Sequence, residues 1–461
     1  MGLVALADFG STYTKVTLVD RARRRMVARA EAPTAIRTDV MEGYDAALAA
    51  ARELAGAAAA PELELAVSSA GGGLRVAAVG LVGDLTAAAA RQAALNAGAR
   101  VEAVVSGRLG EAELAELRRT APEIVLFAGG TDGGQRELVL ANARALAGAG
   151  LRTHFVVACN RAAAAEVEGI LAATGARVDV AANVMPRLGA LAIEDARAAI
   201  SRAFLAHVIG GKRMSTDARF TAMVRMPTPE AVLAATRLLA EGSGRRPGIG
   251  DVVVVDVGGA TTDVHSSRVG EVVTPGIEQP LLPTPTTLRT VEGDLGLRAG
   301  AAGVLDADRP RLAAELGEDR AAGLDAAVAR RGREPEWIPS GGEEADLDGL
   351  LATGCVGHAL GRHCGKLLLT TRRDGSPCLS VDGPDLREAR ELIGTGGVFA
   401  HRGDARRILA RALERRDPQS LAPIEPTIKV DADYILAAAG LLAEVDPELA
   451  LELLERELRK N

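Results

Sequence analysis

The chain opens with two short apolar runs around a polar turn. "GLVALADF" and "YTKVTLVD" flank "GST", a pattern that predicts strand, turn and strand between Gly2 and Val19. "MEGYDAALAAARELA" follows with helical periodicity, and "LELAVSSAGGG" reads as a strand running into a glycine turn. From Leu74 the rhythm changes. The apolar runs "LRVAAVGLV", "ARVEAVVSG", "EIVLFAGG", "LRTHFVVAC" and "ARVDVAANV" alternate with helical stretches such as "LTAAAARQAALNAG" and "EAELAELRRTA". Parallel strands need crossovers of about a dozen residues, so this spacing predicts a parallel sheet covered by helices.

Residues from about 186 to 239 read as mostly helical, interrupted by "MPTP" at Met226–Pro229, and "EGSGRRPGIG" forms a boundary rich in glycine and proline. "DVVVVDVGG" then opens a second α/β segment, and the chain closes on "IKVDADYILAAAGLLAEVD", a strand leading into a helix with a small-residue face. The expected organisation is residues 1–73 as the first part of one α/β domain and 74–185 as an inserted Rossmann- or flavodoxin-like domain. Residues 186–249 form a helical segment linked to the first domain, 250–428 a second domain, and 429–461 a return to the first.

Length and composition narrow the function classes. A chain of 461 residues suggests about two to four domains, and 48% hydrophobic with 25% charged residues is a globular balance. Aromatics at 2% and a net charge of −7 argue against stacking on bases or tracking a phosphate backbone, so no nucleic-acid partner is expected. Cys159, Cys355, Cys364 and Cys378 include no CxxC pair, and no apolar run approaches membrane-spanning length; a cytoplasmic protein with no membrane partner is expected. "TGCVGHALGRHCGK" invites a zinc reading through Cys355, His358, His363 and Cys364, but its spacing matches no dependable zinc pattern and ordinary packing is favoured. "FAGGTDGG" (Phe127–Gly134) stands at a strand's carboxyl end, where open α/β sheets bind ligands, and reads either as a ligand or partner contact or as a tight turn.

The candidate chemistry lies in two acidic turns. Asp8 ends an apolar strand; Gly10 lets backbone amides approach an anion, Ser11, Thr12 and Thr14 offer hydroxyls to phosphate oxygens, and Lys15 adds a positive charge. "VVVDVGGATTDVHSS" repeats the order with Asp256, Gly258, Gly259, Thr261, Thr262 and Asp263. One carboxylate of such a pair can hold hydrated Mg²⁺ while the other orients an attacking water, which is what phosphoryl transfer asks of a protein.

"DFGSTYTK" and "DVGGATTDV" resemble the first and second phosphate motifs of the actin, Hsp70 and sugar-kinase ATPase superfamily. "IGTGGVFA" resembles its adenosine motif, and "VSSAGGG" and "DADYILAAAGLLA" its connecting segments. Together with "FAGGTDGG" and "TVEGDLGLRAG", these stretches make the chain similar to the MutL (GlmL-type) proteins associated with adenosylcobalamin-dependent glutamate mutase and related aminomutases.

The resemblance implies two actin-like, ribonuclease H-like ATPase domains around a nucleotide cleft, with ATP and Mg²⁺ as cofactors. It makes Asp8 and Asp256 the catalytic acids that hold Mg²⁺ through water, and Gly10, Ser11, Thr12 and Thr14, with Lys15, the first phosphate loop. Gly258, Gly259 and Thr261 become the second loop, and Gly394, Gly396 and Gly397 the turn against the adenosine. Ala260 stands where many relatives have a third glycine. The function implied is an ATP-binding, slowly ATP-hydrolysing reactivating chaperone whose partners are the subunits of an adenosylcobalamin-dependent mutase. Self-association into a homo-oligomer is compatible with it. A small-molecule kinase of the same fold and a non-catalytic ATP-binding scaffold stay open as alternatives.

Overall fold

A computed structural model describes residues 2–36, 38–56, 60–69, 74–210 (207–210 by backbone alone), 214–270, 277–278, 282–372 and 374–460. By internal packing the chain divides into two units, Met1–Ala231 with Leu281–Pro283, and Val232–Pro280 with Thr284–Asn461.

In the first unit β1 (Leu3–Phe9), β2 (Tyr13–Asp20) and β3 (Arg25–Pro33) form an antiparallel meander, and β4 (Leu63–Ser68) adds to β1 in parallel. The crossover to β4 is the helix Val40–Ala55, started by Asp39, whose side chain accepts from the Met41 amide, and stopped by Gly56 at φ 60°. Next come β5 (Arg75–Gly80), β6 (Arg100–Ser106), β7 (Ile124–Gly129), β8 (His154–Cys159) and β9 (Val178–Val180), one strand from each of the five apolar runs. They form an all-parallel sheet in the order β6-β5-β7-β8-β9. Helices Ala88–Asn96, Glu111–Thr120, Glu137–Gly148 and Arg161–Ala172 provide the crossovers that parallel pairing requires.

One strand was not expected. β10 (Val224–Pro227) falls inside the stretch read as helical and pairs with β4 in parallel, completing the order β10-β4-β1-β2-β3. The prolines of "MPTP" suggested only a break, but an edge strand ending on proline loses no ladder bond. Helix Thr228–Glu241 starts directly after it, and the division between the units falls within that helix.

The second unit repeats the plan. β11 (Val252–Val257), β12 (Thr262–Ser267), the short β13 (Ile277–Glu278), β14 (Thr287–Glu292), β15 (Lys366–Thr371), β16 (Pro377–Asp382), β17 (Glu391–Thr395) and β18 (Thr427–Val430) follow in order. Five of them make a sheet in the order β14-β12-β11-β17-β18, while β13, β16 and β15 make a smaller one. Here too an antiparallel meander is extended from its first strand by two parallel strands. Numbered within its own sheet, each of the two five-stranded sheets built on a meander reads 3-2-1-4-5.

The end of the chain differs from expectation. Residues 429–461 were expected to return to the first part, but β18 pairs with β17, and the helices Ile435–Leu442 and Pro447–Lys460 stay in the second unit. The three apolar-to-polar residues of "IKV" bond to the open edge of β17, a pairing that helix periodicity cannot reveal.

Burial explains the alanine-rich composition. Ala89, Ala90, Ala93, Ala94 and Ala97 are fully buried in the cluster that also holds Phe9, Tyr44, Val76 and Leu126, so one face of the parallel sheet shares a core with the first meander. Small side chains let the helix backbone approach closely, and Phe9 fills the remaining space against Phe220 and Tyr44 with centroids 5.2 and 6.1 Å away. In the second unit Val253, Val255 and Val257 pack with Leu351, Cys355 and Leu409.

Candidate functional site

Both sheets end their parallel strands at an acidic turn. In the first unit Asp8 lies opposite Lys15 in the β1–β2 ladder, with Lys15 Nζ 3.7 Å from Asp8 Oδ2. The other carboxylate oxygen, Oδ1, accepts a 2.7 Å hydrogen bond from the hydroxyl of Thr228, the residue that follows β10. Gly10 closes the turn, its amide directed at the carbonyls of Asp8 and Tyr13. Ser11 and Thr12 are exposed, and their N–H groups carry no backbone partner among the described residues.

Thr14, expected in the first phosphate loop, lies opposite Phe9, is fully buried, and its hydroxyl meets that of Thr34 at 3.0 Å. Alternation along the strand places Thr14 and Lys15 on opposite faces. Of the connecting stretch "VSSAGGG", Val67 and Ser68 end β4, while residues 70–73 lie outside the described residues.

In the second unit Asp256 occupies the matching place near the end of β11, opposite Asp263 on β12 and Thr395 on β17. The carbonyls of Gly258 and Gly259 are taken by the amides of Leu297 and Arg298, from the "GDLGLRAG" strap. The N–H groups of Gly259 and Ala260 have no backbone partner among the described residues. Thr261 is half-buried, whereas the Thr262 hydroxyl is buried and donates to Leu295 O.

Asp263 is 8% exposed, and its Oδ2 accepts from both Nε and Nη2 of Arg289 at 3.1 and 2.7 Å. It therefore answers a buried cation instead of capping the glycine turn. Two residues further along β12, His265 is fully buried; burial, Arg289 and His363 hold it well below the usual imidazole range.

The "IGTGGVFA" turn comes directly against Asp256. Gly396 has φ 104°, and a Cβ there would lie 2.9 Å from Asp256 Oδ1 and 2.5 Å from Val257 O, so only glycine fits. Gly394 is buried against Phe399 and Leu409, and Gly397 begins the short helix Gly397–Ala400 beside the Tyr434 hydroxyl. Tyr434 itself takes the left-handed conformation at φ 51°, rare for a residue with a side chain.

Three residues bonded at or beside these turns escaped sequence reasoning: Thr228, Thr395 and Asp431. Asp431 is fully buried after β18, where it accepts from the amides of Ile435 and Leu436 at 2.7 and 3.2 Å and from Thr395 Oγ1 at 3.2 Å. Burial pushes its carboxyl up to about 6 despite these donors. An acid four residues before an apolar helix was the available signal for Asp431, and a Thr-Pro helix start for Thr228.

Elsewhere the polar motifs serve packing. His363 bridges Thr290 Oγ1 and Ser266 Oγ, each at 2.8 Å, and burial pushes the Cys355 and Cys364 thiols up to about 12. In "FAGGTDGG" the amides are used internally: Asp132 N donates to Pro186 O, Gly133 N to Asn160 Oδ1 and Gly134 N to Thr131 O, so the loop is a tight turn.

Fold and site thus define a mixed α/β protein with parallel sheets, in which one strand order and one acidic, glycine-rich turn occur twice. The chain belongs to the MutL family: the family model described as MutL protein matches residues 4–458. It is 40% identical over 462 residues to Protein MutL of Clostridium tetanomorphum, covering 100% of both chains. Among solved structures it is similar to a nucleotide-free acetone carboxylase, at a TM-score of 0.43 and 15% identity, over 96% of this chain and 70% of that one. A glycerol dehydratase reactivase gives a TM-score of 0.37 at 12% identity, over 96% and 99% respectively. Among the described residues no helix is long and apolar enough to cross a membrane.

Proposed function

We propose that this member of the MutL family binds ATP with Mg²⁺, that the turn after Asp8 and the turn after Asp256 each carry contacts suited to it, and that the protein hydrolyses ATP slowly and uses the nucleotide cycle to reactivate an adenosylcobalamin-dependent mutase. The observation that carries the nucleotide reading is the repetition. Twice, an acid stands near the end of the first strand of a 3-2-1-4-5 sheet, ahead of a glycine turn with N–H groups that have no backbone partner among the described residues, at the carboxyl ends of parallel strands. Such ends are where open α/β sheets bind ligands, and successive free N–H groups suit phosphate oxygens. In this reading each sheet belongs to an actin-like, ribonuclease H-like half, and residues 74–185, with their 2-1-3-4-5 parallel order, form a flavodoxin-like insertion.

The residues suit a hard cation. Asp8 and Asp256 offer carboxylate oxygens, and the Asp8 side chain is 19% exposed, enough to keep water between acid and metal. Mg²⁺ would neutralise charge on the β- and γ-phosphates. The chain's own contributions are orientation of Asp8 by Thr228, the N–H groups of Ser11, Thr12, Gly259 and Ala260 toward phosphate, Lys15 as a nearby positive charge, and Gly394, Gly396 and Gly397 with Tyr434 toward the nucleoside. The mutase partner and the reactivating role rest on family membership.

Purified protein incubated with ATP and Mg²⁺ tests this. Slow phosphate release should fall at least about a hundredfold in Asp8→Ala and in Asp256→Ala, with circular dichroism unchanged. Undiminished turnover in both variants would remove the assignment. Phosphorylation of an added small molecule would indicate a kinase, binding without turnover a scaffold, and ATP-dependent recovery of an inactivated cobalamin mutase the chaperone.

A further inference from the structure

We propose that Thr228 is a positioning residue for Asp8, holding the carboxylate apart from Lys15 so that it stays available to metal-bound water; this rests on the nucleotide reading above. Thr228 lies 220 residues from Asp8 along the chain, yet its hydroxyl donates to Oδ1 at 2.7 Å, a charge-assisted distance. On the other side Lys15 Nζ stands 3.7 Å from Oδ2, beyond hydrogen-bond length. The lysine is the direct cross-strand neighbour and so the natural closing partner. The hydroxyl bond fixes the rotation of the carboxylate and opposes that closure.

Thr228 is itself held by its surroundings. Pro227 ends β10, in register with Ser68 of β4, and Asp8 is in register with Val67 on the same strand. Glu230, two residues on and 8% exposed, accepts from Ser201 Oγ at 2.7 Å and pairs with Arg197, both on helix Glu194–Gly210. Gly98, at φ 77°, sits so close to Pro227 that a Cβ there would be 2.8 Å from the proline Cβ. Edge strand, buried acid and the turn after helix Ala88–Asn96 thus hold the residues on either side of the hydroxyl that donates to Asp8.

The test compares Thr228→Val, which keeps shape and loses the hydroxyl, with Thr228→Ser, which restores it, and with Asp8→Ala. ADP binding is measured by calorimetry with and without Mg²⁺, ATP turnover is assayed, and the Val variant is crystallised without metal. Removing a hydrogen bond to a charged group is expected to weaken the Mg²⁺-dependent part of ADP binding, and to slow turnover, by about ten- to a hundredfold. Metal-free ADP binding should be unchanged, the Ser variant should lie within about threefold of the parent, and Lys15 should close on Asp8 to about 2.8 Å. If Thr228→Val does not fold, Thr228→Ala takes its place in the same titration. Parental Mg²⁺ dependence and turnover in the hydroxyl-free variant, with an unmoved Lys15, overturn the proposal while a loss in Asp8→Ala keeps the nucleotide reading. If Asp8→Ala also behaves as the parent, the nucleotide reading itself fails.

Discussion

Asp431 shows how a single side chain can tie a site to solution conditions. Its proton is favoured in the folded state, because burial raises its pKa from 3.8 to about 6. Between those values the folded chain binds more protons than the unfolded one, so stability from this group is fully present below pH ~4 and is lost as pH rises through about 6. The shift corresponds to roughly 3 kcal/mol as an upper bound. Asp431→Asn keeps an acceptor for the Ile435 amide and does not titrate. Denaturant midpoints from pH 4 to 7 should therefore fall more in the parent than in the variant, and parallel curves would refute the raised pKa.

At the scale of elements, helix Gly342–His363, packed on its sheet through Leu351 and Cys355, is also hydrogen-bonded to it by its last residue. His363 touches β14 through Thr290 and β12 through Ser266, and burial lowers its pKa from 6.5 to about 3. Its sign is opposite to that of Asp431: stability is present above pH ~6.5 and is lost as pH falls toward 3, since only the unfolded chain takes up the proton. His265 on β12, also held neutral by burial, acts in the same sense. His363→Gln should flatten the acid limb of an unfolding curve between pH 6.5 and 4 by an amount on the order of 1–3 kcal/mol, with a loss of about 1 kcal/mol or more at pH 7. An acid limb as steep as the parent's would show that His363 is not the group responsible.

The whole chain provides one further test. A ligand that binds only the folded state stabilises it by about 2.7 kcal/mol at a hundredfold excess over its dissociation constant. ATP with Mg²⁺ should therefore raise the melting temperature of the parent by a few degrees. The same addition should leave Asp8→Ala and Asp256→Ala nearly unmoved. A shift of equal size in all three would place the nucleotide elsewhere.

What the sequence determined by itself was local. Strand runs, crossover helices and both acidic turns were legible because they follow from hydrophobic period and glycine chemistry within a window of some ten residues. Thr14 against Lys15 was already implicit in strand alternation, but which face met the core depended on Phe9 packing with Tyr44 and Phe220. Tertiary structure alone decided the edge strand β10, the pairing of β18 with β17, the Asp263–Arg289 pair, and the convergence of Thr228 on Asp8 and of Gly396 on Asp256. The physical reason is that edge pairing and long-range hydrogen bonds depend on which backbone is left open once the core has closed. No local pattern of residues carries that information.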